Sequence, residues 1–120
     1  VLIDGKTWHT TEHYYQAQKM VEQCDREEIR LSKSPRDAAN LGRDRNKKIR
    51  PDWESIKEGV MKVALYAKFT QYEELRNLLM QTGEEVLAEH TENDNYWGDG
   101  LGKGLNRLGI LLMEVRESLK

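Results

Sequence analysis

Apolar positions recur at helical spacing over most of the chain. The first helix is expected to run from Thr10 or Thr11, whose hydroxyls suit a helix cap, to about Gln23. A short second helix follows over Asp25 to Leu31. Ser34 and Pro35 read as a cap and a first-turn proline, and Gly42 as the stop of that third helix. Pro51-Asp52 opens the clearest helix, to about Phe69, with Trp53, Ile56, Val60, Met61, Val63, Ala64 and Ala67 in phase. The next covers Gln71 to Gln81, with Leu75, Leu78 and Leu79 inward and Gly83 at its end. The last, Leu105 to Leu119, carries Leu108, Leu111, Leu112 and Val115 on one face. Val86 to His90 is a candidate strand that would pair with Leu2-Ile3, and Asn93 to Gly104 is a loop with four glycines. The pattern predicts a mainly α, single compact helical domain with at most a minor short β element. Met20, Met61 and Met113 belong to its core.

Composition narrows this picture. The 120 residues suit one domain, and 38% hydrophobic with 33% charged residues is a globular composition. No stretch approaches the ~18 apolar residues of a membrane span, and no signal peptide is visible; a cytoplasmic protein without a membrane partner is expected. A net charge of −2 argues against bulk nucleic-acid binding. The exception is Arg43 to Arg50, with five cations, which reads as a solvated loop or as a phosphate-contacting edge. Cys24, the one cysteine, excludes an internal disulfide and a cysteine zinc site, and nothing beside it activates a thiolate.

Three places hold candidate chemistry. On the first helix Glu12, Gln16 and Lys19 share a stripe, with Tyr15 beside it. Carboxylate, amide and amine in one row can hold a polar ligand and move protons; an exposed salt-bridging face would look the same. His9 to His13 spells H-x-x-E-H, a zinc-protease pattern, but a cap at Thr10 or Thr11 puts His9 outside the helix. The glycine loop Gly98 to Gly104 precedes a helix, as anion-binding loops do. It has neither the ending of a Walker loop nor the spacing of a Rossmann fingerprint. Asp94, Tyr96 and Trp97 beside it suit a stacked flat ligand, and Trp53 is either core or a stacking wall.

Seven short segments then occur in order: Glu12-His-Tyr-Tyr-Gln-Ala-Gln-Lys19, Leu41-Gly-Arg43, Asp52-Trp-Glu54, Ala67-Lys-Phe69, Leu79-Met-Gln-Thr-Gly83, Asp94 with Tyr96-Trp-Gly98, and Asn106-Arg-Leu-Gly109. Together they closely resemble the NADAR family, in particular its YbiA-like branch, from about Gly5 to Leu119. The resemblance implies one domain over 1–120, without the upstream aromatic-Ser-Asn-aromatic segment usual in the family. It implies hydrolysis of an N-glycosidic bond between ribose and an exocyclic amine, with no metal and no cofactor. The expected substrates are ribosylamino-pyrimidine phosphate intermediates of riboflavin biosynthesis; the alternatives are ADP-ribosylated guanine in nucleic acid, or binding of ADP-ribose without catalysis.

By this resemblance Glu12 is the main catalytic group, with Asp94 and Lys19 as further catalytic candidates. Trp53, Trp97, Tyr15, Gln16, Arg43, Asp52, Gly98 and Asn106 are the expected substrate-binding residues. Glu12 would transfer the proton, Asp94 would position water or ribose, and the two tryptophans would stack on the base. Lys19 offers a second route, capture of C1 as a Schiff base.

Overall fold

The computed structural model describes residues 1–88, 96–98 and 104–120. In chain order the elements are β1 (Leu2–Ile3), β2 (Lys6–Thr7), α1 (Thr11–Gln18), α2 (Gln23–Arg30), α3 (Pro35–Gly42), α4 (Trp53–Gln71), α5 (Glu73–Gln81) and α6 (Arg107–Ser118). The class is mainly α, as expected, with one two-stranded antiparallel sheet among the described residues. The chain divides into two compact units, Val1–Gln71 and Tyr72–Lys120. No helix among the described residues is long and apolar enough to cross a membrane.

The first unit opens on a hairpin, Leu2 opposite Thr7 and Ile3 opposite Lys6. Asp4 and Gly5 turn it with φ of +53° and +78°, the double left-handed geometry that Asp-Gly favours between two strands. The expected pairing of Leu2-Ile3 with the segment from Val86 is therefore corrected. The Asp-Gly turn supplies β1 with a local partner, and 85–88 have no regular structure. The expectations on Glu89 and His90 lie outside the described residues.

Helix α1 packs against α2, α3 and α4. Its Tyr14, Ala17 and Met20 side join Ile3, Trp8, Ile29, Ala38 and Ala64 in one buried cluster, and a fully buried aliphatic side chain contributes about 2 kcal/mol. Thr10 caps the helix by accepting from the His13 N–H at 3.2 Å. His13 is fully buried, with Nε2 3.1 Å from the Ser32 carbonyl and Nδ1 2.7 Å from the Thr10 hydroxyl. A carbonyl only accepts, so Nε2 carries the hydrogen and the hydroxyl donates to Nδ1. Both ring nitrogens are thus used inside the protein, and His9 lies ahead of the cap, which removes the zinc-protease geometry. Thr10→Ala should cost about 1–2 kcal/mol, read in denaturant melts, because cap and His13 partner go together.

α1 stops at Gln18, short of the expected Gln23. Met20 bridges to Ile49, and Lys19 and Val21 exchange backbone bonds with Arg50 and Lys48 at 3.0 and 3.1 Å. Pairing with an extended segment competes with another helical turn and wins. The basic run is thereby tied to the end of α1 by its backbone.

In the second unit Leu79 is buried, whereas Leu78, expected inward, is 60% exposed. The nine-residue α5 buries a narrow stripe through Leu75 and Leu79, and Leu78 falls off its edge. Gly83, at φ +60°, ends the helix as expected. On α6 Leu111 and Val115 are buried, with Leu108 and Leu112 partly so.

Candidate active site

The stripe predicted on α1 exists as a bonded group within the first unit. Gln16 Nε2 donates to Glu12 Oε1 at 2.8 Å, and Lys19 Nζ donates to the Gly42 carbonyl at 2.8 Å. Burial pushes the Lys19 ammonium below its usual range, and Arg43 pushes it further the same way. Glu54 and then Glu12 partly oppose this, and Lys57 adds a small push downward. Lys19 therefore sits in a field of two cations and two carboxylates, at the point where α1, α3 and the start of α4 meet.

Trp53 is the first residue of α4 and is 6% exposed. Its ring lies 5.0 Å from that of Tyr15 at 58°, which joins the aromatic beside the α1 stripe to the fourth helix. Of the two readings offered for Trp53, its burial matches the core one. Trp53→Phe should keep the fold while raising KM more than it lowers kcat, since a smaller ring still fills the contact but offers less face. Steady-state kinetics alongside a thermal melt check this.

Two expected residues have other commitments. Asp52 accepts from Arg50 Nε and Nη2, both at 3.0 Å, and this guanidinium holds the carboxyl below the usual carboxylate range. Most of the basic run is likewise neutralised. Lys47 pairs with Glu28 and Asp25, and Lys48 with Glu22 at 3.7 Å. Arg43 is exposed and donates to the Asn40 side-chain carbonyl at 2.8 Å. It meets no carboxylate among the described residues, so the phosphate-contacting edge reduces to Arg43 and Arg45.

The sequence reading missed Glu54, Lys57 and the role of Gly42. Glu54 and Lys57 pair at 2.7 Å one helical turn apart, and the Lys57 side chain is only 15% exposed. Their signal was an i, i+3 spacing on one helix face, the same spacing that separates Gln16 from Lys19.

In the second unit Trp97 stands edge-on to Tyr96, centroids 4.9 Å apart at 88°. The carbonyls of Gly98, Tyr96 and Trp97 accept from the N–H groups of Asn106, Arg107 and Leu108 at 2.9, 2.8 and 3.0 Å. The start of α6 thus spends these donors on protein carbonyls and not on an anion. Asn106, at φ +50°, also donates through Nδ2 to the Leu87 carbonyl at 2.9 Å. Asp94 and most of the glycine loop lie outside the described residues.

A hollow of about 160 Å³ lies on the side of α1 away from the stripe, lined by Asp4, Trp8, Tyr14, Gln18 and Arg26 among others. Burial, then the Asp4 carboxylate, keeps the Tyr14 phenol protonated beyond its usual range. The Lys6 and Glu27 charges at its edge pair at 3.3 Å.

This chain belongs to the NADAR family: the sequence profile described as NADAR domain matches residues 1–120. It is similar to N-glycosidase YbiA of Escherichia coli strain K12, 61% identical over 120 residues covering 99% of this chain and 75% of YbiA. An N-glycosidase of Nostoc punctiforme is 43% identical over 122 residues, covering 98% of this chain and 78% of that protein. The chloroplastic riboflavin biosynthesis protein PYRR of Zea mays is 45% identical over 127 residues, covering 97% of this chain and 20% of that protein. The NMR structure of the Escherichia coli protein YbiA superposes with a TM-score of 0.91 at 61% identity, over 98% of this chain and 70% of that one. The resemblance carried by the seven segments and the helical class read from the periodicity are both borne out.

Proposed function

We propose that this chain is a hydrolase acting on N-glycosyl bonds, and that it cleaves the C–N bond between ribose C1 and the exocyclic amine of a pyrimidine. Two relatives are named N-glycosidases and two, from Zea mays and Vibrio vulnificus, riboflavin biosynthesis proteins. The substrate class that fits is therefore the ribosylamino-pyrimidine phosphates of riboflavin biosynthesis. The observation that carries the reading is the bonded set Glu12–Gln16, with Lys19 held beside it and Trp53 on its flank.

Cleavage needs a proton on the departing nitrogen, negative charge near C1 as it turns cationic, and a nucleophile to complete the exchange. Glu12 supplies the proton and then the negative charge. Gln16 turns one Glu12 oxygen toward itself and leaves the other for substrate. Trp53 presents a face to the flat base. Arg43 meets the ribose phosphate. Asp94 and Trp97 take their roles, on water or ribose and on the base, from the family resemblance alone.

One assay tests this. The chain is given a ribosylamino-pyrimidine phosphate and, separately, ADP-ribosylated guanine, and free base and free sugar are quantified. Release from the first substrate supports the proposal. Release from the second alone moves the chain to the other NADAR chemistry, and ADP-ribose binding with no release from either makes it a binding module.

A further inference from the structure

The polar stripe of α1 is built against one residue of α3. A Cβ placed on Gly42 would fall 2.0 Å from Gln16 Oε1, 2.7 Å from its Cδ and 3.3 Å from its Cγ. A side chain at position 42 would require the Gln16 amide to move. Backbone conformation does not require the glycine: Gly5 and Gly83 have positive φ and Gly42 does not. Helix α3 ends at Gly42 as expected, and the close approach of Gln16 adds a packing reason for the glycine.

Gln16 Oε1 is also buried with no hydrogen-bond partner. An oxygen 2.0 Å from the place of a missing Cβ lies close to the second α-hydrogen that only glycine has. With a bond to Cβ of about 1.5 Å, Oε1 is within about 3.5 Å of the Gly42 Cα, the span of a Cα–H···O contact. The other end of the amide faces Glu12, and a carboxylate requires a donor there, which fixes the amide orientation. The Gly42 carbonyl meanwhile accepts from Lys19 Nζ.

We propose that Gly42 is a positioning residue for the reaction: its bare Cα seats the Gln16 amide so that it aims at Glu12, and its carbonyl holds the Lys19 amine. One backbone unit thereby sets the spacing of acid and amine. This rests on the hydrolase reading above.

The test is a cycle of Gly42→Ala, Gln16→Ala and the two together, each measured for turnover of the ribosylamino-pyrimidine phosphate and by thermal melts. Gly42→Ala alone should lower kcat at least about tenfold with KM held within about threefold. Added to Gln16→Ala, which vacates the space a methyl needs, it should cost less than about twofold in kcat and leave Tm unreduced. An equal loss in both backgrounds, or near-normal turnover of Gly42→Ala alone, overturns the proposal. If Gly42→Ala does not fold, the double variant decides: recovery to the level of Gln16→Ala supports the seat, and continued failure to fold refutes it. The melts separate this inference from the hydrolase reading. A wild-type chain that releases no sugar removes that reading, while coupling in Tm still decides whether Gly42 seats Gln16.

Discussion

Glu12→Gln lowers kcat at least about 100-fold, the usual effect of removing a positioned proton-transfer group. The substitution keeps shape, and an amide oxygen at position 12 still accepts from Gln16 Nε2, which now donates to Glu12 at 2.8 Å. The fold should therefore survive, and an unchanged Tm assigns the loss to chemistry. A second signature separates Glu12 as a proton carrier from Glu12 as a spacer. Its negative charge raises the Lys19 ammonium toward its ordinary range. Without that charge, burial and Arg43 act with less opposition, and Lys19 should lose its proton at a lower pH than in the wild type. The residual activity of Glu12→Gln should show its rising limb shifted toward acid. Turnover within a few-fold of wild type, with the limb in place, removes Glu12 from the mechanism.

What could be read along the chain follows from how local each feature is. The α1 row was legible because helical periodicity alone places 12, 16 and 19 together, and a threonine ahead of it signals where the helix starts. Ser34-Pro35 marked α3 for the same reason. The hairpin was also local, and Asp4-Gly5 signalled it; the distant pairing with Val86 was preferred because a two-residue strand carries too little alternation to declare its partner. The early end of α1 was hidden, since the competing bonds come from Lys48 and Arg50, nearly thirty residues on. The second role of Gly42 was hidden for a related cause. A glycine after an apolar run reads as a helix stop, which it is, and the Gln16 amide that packs on it appears only when α1 and α3 are in contact. The charge run was ambiguous until its partners were known, and the structure sorts it residue by residue, leaving Arg43 beside Lys19.

Lys19→Ala should likewise reduce turnover at least about 100-fold, as removal of a charged or proton-transferring group at a reacting centre does. How it does so distinguishes two chemistries. In the first, Lys19 stays an ammonium and steadies the phosphate or the leaving group; activity then falls as pH rises through its pKa. In the second, the ribosylamine opens to an imine and the free Lys19 amine attacks C1. The Glu12 carboxylate takes a proton from the attacking lysine nitrogen and passes it to the pyrimidine nitrogen, which leaves as the free amine, and water hydrolyses the lysine imine to free sugar and free lysine amine. Activity then rises with pH through the same pKa, because only the neutral amine attacks. The second is motivated by the direction of the shift: burial, then Arg43, lowers that pKa. The sign can be tested without touching either reacting group. Arg43→Ala removes a repulsion that depresses the Lys19 pKa, so in kcat at saturating substrate, where a weakened phosphate contact does not enter, the rising limb should move to higher pH. Borohydride added during turnover should trap a covalent adduct on the wild-type chain, and none on Lys19→Ala. A falling limb with no trapped adduct returns Lys19 to the role of a fixed cation.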